Sequence, residues 1–252
     1  MRVIVTRPEE HAAELVERLV ALGHEPVLCP LVRIEPLGEG APVAVAGYDW
    51  VVVTSRTGAA ALARRAREEL PPVAAIGPGT AAELAAHGIT AALVPEVSTQ
   101  EGLVAAFPRP AGRVLFAGAE GARRVVVDEL GADFVALYRT VPAAPAGGLP
   151  AGEVVVVASP SAARVLAGIW AAPGAAPPGP RPVVVSIGPQ TSAAARAAGL
   201  PVDVEAARFD LDGLVAAVER AVALAAAREP RLGKPAATKL AATRPAPAEP
   251  AP

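Results

Sequence analysis

The chain has 252 residues and a mass of 25.3 kDa, a length that suits one large α/β domain or two domains of roughly 110 to 130 residues. Hydrophobic residues make up 52% and charged residues 19% of the chain, and its mean hydropathy is +0.40. This composition excludes disorder for most of the chain, because disorder requires low hydrophobicity and high net charge. Lysine and arginine (23) nearly balance aspartate and glutamate (25), so the formal charge of -2 creates no basic field that would favour nucleic acid or an anionic membrane.

Rare residue types exclude further classes of function. Aromatic residues make up only 3%, which leaves little material for stacking nucleobases or enclosing a flat apolar cofactor. The single cysteine, Cys29, excludes an internal disulfide and any multi-cysteine metal or iron–sulfur site. No run of about 18 apolar residues occurs, and the opening MRVIVTRP is typical of a strand rather than a signal peptide. We therefore expect a cytoplasmic protein without a membrane span.

Strands and helices are predicted to alternate along the chain. Apolar, β-branched runs predict short strands buried on both faces, at residues 2–6, 50–54, 73–76, 113–116, 154–158 and 183–187. Alanine-rich stretches predict helices at residues 9–22, 57–70, 79–87, 99–106, 121–130, 161–169, 189–198 and 211–227. Ser98 with Glu101 has the spacing of a capping box, and Asp210 is placed to cap the last helix. Such alternation predicts an α/β fold with doubly wound parallel sheets.

An internal repeat divides the chain into two related halves. The sequence IGPGT at residues 76–80 returns as IGPQT at residues 187–191, and GLVAA at 102–106 returns at 213–217, both with a shift of 111 positions (187 − 76 and 213 − 102). A further pair is VVVTS at 51–55 and VVVAS at 155–159. We therefore expect two similar domains.

Two extended segments, residues 26–36 and 134–142, interrupt the alternation at matching places in the two halves. Each is either a long strand followed by a loop or one of two crossover strands that connect the domains. The second interpretation predicts a two-stranded crossover ladder and a discontinuous first domain at 1–34 and 144–227. The second domain, at 38–138, would then be inserted into it. Residues 228–252 are rich in proline and alanine and predict a disordered tail.

Small polar residues are concentrated in the turns that follow the predicted strands. In parallel sheets these turns lie at the edge where ligands bind, and the following helices direct free N–H groups toward it. One contact of this kind contributes about 0.3–1 kcal/mol, so several together would hold a polyanion. Ordinary helix capping explains any one hydroxyl equally well, but the repeated Gly-Pro-x-Thr favours binding. The candidate substrate-binding residues are Thr6, Arg7, Ser55, Arg56, Thr80, Ser159, Ser161 and Thr191.

Other kinds of site find little support. Gly77 and Gly79 suggest a dinucleotide-binding turn, but residue 82 is alanine and no acidic residue follows at the required distance. No phosphate-binding loop and no serine-hydrolase turn occurs, and Cys29 lies in an apolar run typical of a core position. The three histidines have no metal-ligand spacing, so no metal is expected. They are His11, His24 and His87.

Tyr138 stands within the sequence LYRT at residues 137–140, on the second extended segment. A phenol at this place is suited to donate a hydrogen bond or a proton into a cleft between domains. It is equally typical of an amphipathic residue at a domain boundary. The spacing alone leaves both interpretations open.

Taken in order, these segments resemble the uroporphyrinogen-III synthase family, the bilane cyclases of tetrapyrrole biosynthesis. The resemblance covers about residues 1–222 and rests on the ordered set rather than on any one segment. Its elements are the opening VTRP, the block DWVVVTS at 49–55, the paired IGPxT turns, the sequence LYRT and the turn SPS at 159–161.

The resemblance implies two α/β domains joined by a two-stranded ladder, and a substrate, hydroxymethylbilane, that is a linear tetrapyrrole with eight carboxylates. The family expels the terminal hydroxyl as water, forms a spiro intermediate and closes the ring with the last pyrrole inverted, without a cofactor. Tyr138 matches the family's tyrosine near the leaving hydroxyl. The hydroxyls that match its cleft are those of Thr6, Ser55, Thr80, Ser159 and Thr191.

Two non-catalytic functions are the alternatives to this enzyme activity. A porphyrin-linked transcription regulator would require about 60 further structured residues with a basic helix, and neither end of the sequence predicts them. A two-domain sensor that closes on a tetrapyrrole or a small anion is compatible with the same sequence, because fold does not determine function. A monomer with a flexible hinge is the expected form.

Overall fold

The computed structural model describes residues 1–38, 40–143, 145, 147–172 and 180–228. Its strands are β1 (Arg2–Val5), β2 (Glu25–Leu28), β3 (Val32–Pro36), β4 (Trp50–Val53), β5 (Val73–Ala75), β6 (Ala91–Leu93), β7 (Val114–Ala119), β8 (Asp133–Pro142), β9 (Val154–Val157), β10 (Val183–Ser186) and β11 (Val204–Glu205). Its helices are α1 (Ala13–Ala21), α2 (Arg56–Arg65), α3 (Pro78–Ala86), α4 (Gln100–Ala106), α5 (Val125–Leu130), α6 (Pro160–Ala171), α7 (Pro189–Ala197) and α8 (Leu211–Arg228). A 3-10 turn, Glu9–His11, precedes α1.

The first sheet has five parallel strands in the order β11-β10-β9-β1-β2. Side chains alternate along β1, so Val3 and Val5 pack with α1 and α8 while Ile4 packs with α6 and α7 on the other face. Helices cover both faces of the sheet, which is why its strands read as continuous apolar runs in the sequence.

The second sheet has six strands in the order β3-β8-β7-β4-β5-β6. Its strands are parallel except β3, which is antiparallel to β8. Val51 and Val53 pack against α2 and α3, whereas Val52 and Phe116 pack against α4 and α5. The two-domain α/β fold with doubly wound sheets predicted from the sequence is therefore confirmed.

Strands β3 and β8 carry the chain between the sheets. The first part of β8 pairs with β7 in parallel and its last part pairs with β3, from Tyr138 opposite Pro36 to Pro142 opposite Val32. The antiparallel pair is the predicted crossover ladder. Residues 26–36 do not form one strand, however, because β2 ends at Leu28 in the first sheet and β3 begins only at Val32.

The sequence repeat and the two sheets divide the chain differently. Position by position, strands β11, β10, β9, β1 and β2 of the first sheet correspond to β6, β5, β4, β7 and β8 of the second. Each half of the repeat therefore contributes strands to both sheets, and each sheet contains strands from both halves.

Several predicted boundaries are wrong. The cap of α4 is Thr99 rather than Ser98, because the Thr99 hydroxyl accepts the Gly102 N–H at 3.0 Å. Helix α2 ends at Arg65, because the backbone becomes extended at Ala66. Pro71 and Pro72 follow in the same loop. The predicted helix at 121–130 begins only at Val125, and that at 9–22 is split into the 3-10 turn and α1.

The sequence also missed the edge strands β6 and β11, of three and two residues, because neither contains a β-branched run. Arg228, assigned from the sequence to the tail, is the last residue of α8, and residues 229–252 lie outside the described part of the chain. Within the described part, no helix combines the length and apolarity needed to cross a membrane.

Candidate functional site

A cavity of about 260 Å³ lies between the two domains, beside the ladder formed by β3 and β8. It opens at the carboxyl ends of β1 and β9 in the first sheet and of β4 in the second. These are the points where the strand order reverses direction, the usual position of ligand sites in doubly wound folds. Its wall consists of Thr6, Arg7, Pro8, His11, Val32, Ile34, Ser55, Arg56, Thr57, Tyr138, Thr140, Ala158, Ser159 and Ala162.

Two hydroxyls from the first sheet lie in this wall. Thr6 follows β1 and donates its hydroxyl proton to the Val156 carbonyl at 2.7 Å, which ties β1 to β9. Ser159 caps α6 by accepting the Ala162 N–H at 3.1 Å. Both side chains therefore make structural hydrogen bonds while lining the cavity.

Ser55 and Tyr138 form the polar centre of the opposite wall. Ser55 caps α2 by accepting the Gly58 N–H at 2.9 Å, and its Oγ lies 2.8 Å from the phenol oxygen of Tyr138. Burial raises the pKa of Tyr138, and the hydroxyls of Ser55 and Thr57 lower it in part. The phenol is therefore protonated at neutral pH. If Ser55 donates to the phenol oxygen, the Tyr138 proton is left for an acceptor in the cavity.

Arg7 and Arg56 bring positive charge to the rim. Burial lowers the pKa of Arg7, and the neighbouring Arg56 lowers it further, whereas Glu14 raises it. The nearest carboxylate to Arg56 is that of Glu14, at 3.8 Å, which is a long ion pair. Arg56 also lies against the start of α3, where a Cβ on Gly79 would be 3.2 Å from its Nε. A bound anion would offset the mutual repulsion of the two guanidinium groups.

Three of the predicted binding residues lie outside the cavity wall. Thr80 and Thr191 are buried in the first turns of α3 and α7, with exposed fractions of 5% and 3%. Ser161 lies in the first turn of α6 between Ser159 and Ala162, which both line the cavity, but it is not itself part of the wall. The structure brings together Thr6, Arg7, Ser55, Arg56, Tyr138 and Ser159.

Sequence reasoning missed His11, Thr57 and Thr140 as members of the wall. Thr57 and Thr140 each stand close to a candidate residue in the sequence, so a wider reading of those segments would have included them. His11 has no such signal, because only the folding of the turn after β1 brings its ring to the cavity. Burial is the main cause that lowers the pKa of His11.

Cys29 is a core residue, as its apolar neighbours predict. Its exposed fraction is 6%, and burial raises the pKa of its thiol. Among the described residues, no group of three or more His, Cys, Asp or Glu side chains is placed to hold a metal ion.

The family model described as uroporphyrinogen-III synthase HemD matches residues 13–216. This chain belongs to that family. A segment of 62 residues, 23% of the chain, is 34% identical to the porphyrin biosynthesis protein HemD of Ruminiclostridium josui. That segment covers 12% of the relative's length.

Two solved structures have the same fold. A mutant uroporphyrinogen III synthase from the extremely thermophilic bacterium Thermus thermophilus matches 89% of this chain and 99% of its own, with 16% identity and a TM-score of 0.58. The uroporphyrinogen-III synthetase of Helicobacter pylori matches 89% of this chain and 100% of its own, with 15% identity and a TM-score of 0.59. Both likenesses support the two-domain α/β architecture.

Proposed function

We propose that this protein is a uroporphyrinogen-III synthase, a hydro-lyase that cyclises hydroxymethylbilane to uroporphyrinogen III with loss of water and inversion of the terminal pyrrole. The observation that carries the proposal is the phenol of Tyr138, hydrogen-bonded to Ser55 in a cavity that Arg7 and Arg56 also line. The cavity lies where the carboxyl ends of strands from both sheets meet, in a chain of this family.

The substrate carboxylates have natural partners at the rim. Arg7 is partly desolvated beside a second cation, so a carboxylate between Arg7 and Arg56 would form charge-assisted hydrogen bonds with both. The N-termini of α2 and α6, capped by Ser55 and Ser159, direct the positive ends of their helix dipoles toward the same space. Thr80, Ser161 and Thr191 are proposed as contacts for parts of the substrate that extend past the cavity.

The chemistry requires one proton and a fixed geometry. Hydroxide is a poor leaving group, so the C–O bond breaks as the departing oxygen takes a proton, and the hydroxyl leaves as water. Tyr138 is the donor in this proposal. The pyrrole nitrogen of the first ring stabilises the resulting cation, and the α-carbon of the last ring that carries its methylene bridge attacks the cation to form the spiro intermediate. The bridge bond then breaks and re-forms at the free α-carbon of that ring, which inverts it, and the proton lost from this carbon restores the Tyr138 phenol. The protein holds these carbons within reach of each other, and no cofactor takes part.

The cavity holds only part of the substrate. Its volume of about 260 Å³ lies below the roughly 300–1,000 Å³ of pockets that enclose drug-sized ligands, and a linear tetrapyrrole is larger than those. We therefore infer that the reacting end enters the cavity while the rest lies between the domains. These domains, 1–34 with 144–227 and 38–138, would move apart about the β3–β8 ladder to admit it.

The oligomeric state, the compartment and the partners complete the proposal. We propose a monomer that acts in the cytoplasm on a small molecule and binds neither nucleic acid nor membrane, because the formal charge is only -2 and the single cysteine suits a reducing compartment.

An isomer assay tests the function. Hydroxymethylbilane closes spontaneously to the type I isomer, so the purified protein should convert it mainly to the type III isomer, measured by chromatography of the oxidised porphyrins. Heat-denatured protein is the control and should yield type I. If the native protein also yields only type I but binds the bilane, it is a non-catalytic sensor of the same fold, and the enzyme proposal is lost.

A further inference from the structure

One hydrogen bond connects the two sides of the cavity directly. Nε2 of His11 lies 3.1 Å from Oγ1 of Thr57. His11 belongs to the 3-10 turn after β1 of the first sheet, and Thr57 belongs to the first turn of α2, which packs on the second sheet. The bond therefore links the two domains in addition to the β3–β8 ladder, which joins them covalently.

Thr57 also lines the cavity beside the phenol. It stands two residues after Ser55, whose Oγ lies 2.8 Å from the phenol oxygen of Tyr138, and the hydroxyls of Ser55 and Thr57 both lower the pKa of Tyr138. All four side chains line the same cavity: His11, Thr57, Ser55 and Tyr138. A threonine hydroxyl rotates freely unless a partner fixes it, and the imidazole is a partner that fixes it from the opposite wall.

The surroundings keep the imidazole neutral. Burial lowers the pKa of His11, and the nearby cations Arg7 and Arg56 lower it further, while Glu10 and Glu83 raise it. A neutral ring can accept the Thr57 proton at Nε2 or donate one there, depending on its tautomer, whereas a protonated ring can only donate.

We propose that His11 is a positioning residue of the reaction, whose ring orients the Thr57 hydroxyl and through it the Tyr138 phenol when the two domains are closed. The inference rests on the proposed function, since it assigns a role within the same site.

Kinetics of matched variants test the role. His11→Phe keeps the ring volume and removes the hydrogen bond, and should lower kcat about tenfold with KM within twofold of the native value. His11→Gln places an amide near the position of Nε2, and should retain at least a third of the native kcat. His24→Gln is the control, because His24 contacts Glu219 of α8, neither residue lines the cavity, and its replacement should leave kcat unchanged.

A double-variant cycle tests the coupling. Thr57→Val should lower kcat at least as much as His11→Phe, because it removes both the bond to His11 and the hydroxyl beside the phenol, and the double variant should be no slower than Thr57→Val. Effects that multiply would overturn the proposal, and so would a native kcat for His11→Phe.

The pH profile provides a readout that does not depend on the stability of the phenylalanine variant. The native enzyme should lose kcat as pH falls through the pKa of His11, which lies below the ordinary value of about 6.5. His11→Gln should lack that acid limb, and an identical limb in both proteins would contradict the role. If the native protein forms only the type I isomer, the proposed function fails instead, so the two failures are distinguishable.

Discussion

Ser55 and Ser159 show that capping and binding need not be alternatives at the level of single residues. Each accepts the N–H three residues later and so caps a helix, yet each also lies in the cavity wall. A serine at this position satisfies one of the free N–H groups of the helix and leaves the others, with the positive end of the dipole, for a substrate carboxylate. Ser55 has a third role, because its Oγ also forms a hydrogen bond with the phenol of Tyr138.

Tyr138→Phe should lower turnover at least tenfold while leaving the melting temperature nearly unchanged. The substitution removes the phenol proton and one hydrogen bond but keeps the buried ring, whose residue has an exposed fraction of 7%. Loss of that bond costs about 1 kcal/mol of stability at most, because the Ser55 hydroxyl keeps its bond to Gly58.

Tyr48→Phe is the matched control for this substitution. Tyr48 is the other tyrosine of the chain, and its hydroxyl donates to Asp133 at 2.8 Å on the surface of the second domain. Its removal should leave turnover unaltered. Native turnover in Tyr138→Phe, measured as type III isomer formed per enzyme, would remove Tyr138 from the mechanism.

At the level of single elements, the internal repeat is visible in α4 and α8, whose N-termini are capped in the same way. Thr99 caps α4 and accepts the Gly102 N–H at 3.0 Å, and Asp210 precedes α8 and accepts the Gly213 N–H at 2.7 Å. A Cβ on Gly102 would lie 2.2 Å from the carbonyl oxygen of Val97, and one on Gly213 would lie 2.1 Å from that of Arg208. Both helices therefore require glycine at this position, because the preceding loop passes directly over it.

Thr99→Ala should destabilise the protein by about 1 kcal/mol, the usual cost of losing an N-cap side chain. Ser98→Ala is the matched control and should cost less, since Ser98 does not accept an N–H of α4. Urea denaturation measures both. A larger loss for Ser98→Ala would restore the capping box that the sequence suggests and contradict the cap seen here.

Asp203 joins three elements and should make stability depend on acid pH. It accepts from Arg181 at 2.8 Å, from the Val184 N–H at 2.8 Å and from Arg228 at 2.9 Å. Burial is the largest influence on its pKa and raises it, but the three donors together outweigh burial and lower the pKa from 3.8 to about 2.

Because the folded pKa is lower than the unfolded one, this carboxylate stabilises the fold above pH 3.8 and loses that contribution as pH falls through about 2. Asp203→Asn should lower the free energy of unfolding at pH 7 by up to about 2 kcal/mol, and the difference from the native protein should shrink below pH 4. Urea denaturation at pH 7 and pH 3 measures it.

Asp128→Asn is the control for this pH dependence, since Asp128 is exposed on α5 and makes no ion pair with any residue that the structure describes. Its unfolding free energy should follow that of the native protein at both pH values. A pH-independent difference between Asp203→Asn and the native protein would show that the carboxylate does not carry the effect.

For the molecule as a whole, the arrangement of the two sheets creates the site. The cavity wall combines the turn after β1 of the first sheet with the start of α2, which packs on the second. Val32 and Ile34 of β3 and Tyr138 and Thr140 of β8 complete the wall from the ladder. The connection between the domains is thus also a part of the site.

Removal of residues 229–252 should leave both activity and melting temperature unchanged, because proline and alanine at that density leave no apolar periodicity to bury. Removal from residue 228 onward should also leave activity intact but lower stability slightly, since it takes away the Arg228 contact with Asp203. The isomer assay and thermal unfolding measure both. A substantial loss of activity in the shorter truncation would show that the tail has a role in the reaction.

The duplication and the order of the helices and of the strands other than β6 and β11 could be predicted from the sequence, because each depends on local patterns of apolar residues or on repetition. From the sequence, the crossover ladder is one of two interpretations of the extended segments. The turns that carry Thr6, Arg7, Ser55, Arg56 and Ser159 could also be predicted, since the ends of parallel strands meet at one edge. The same reasoning could not separate these residues from Thr80, Ser161 and Thr191, which occupy equivalent turns and lie outside the wall.

The position of His11 in the cavity wall could not be predicted from the sequence. Its neighbours Glu9, Glu10 and Ala12 carry no sign of a site, and its partner Thr57 lies 46 positions away on the other domain. Local patterns determine which segments fold into strands, helices and turns. Which side chains face each other across the cavity depends on how the two sheets are placed relative to each other by the β3–β8 connection, and contacts of such sequence separation leave no periodic pattern in the chain.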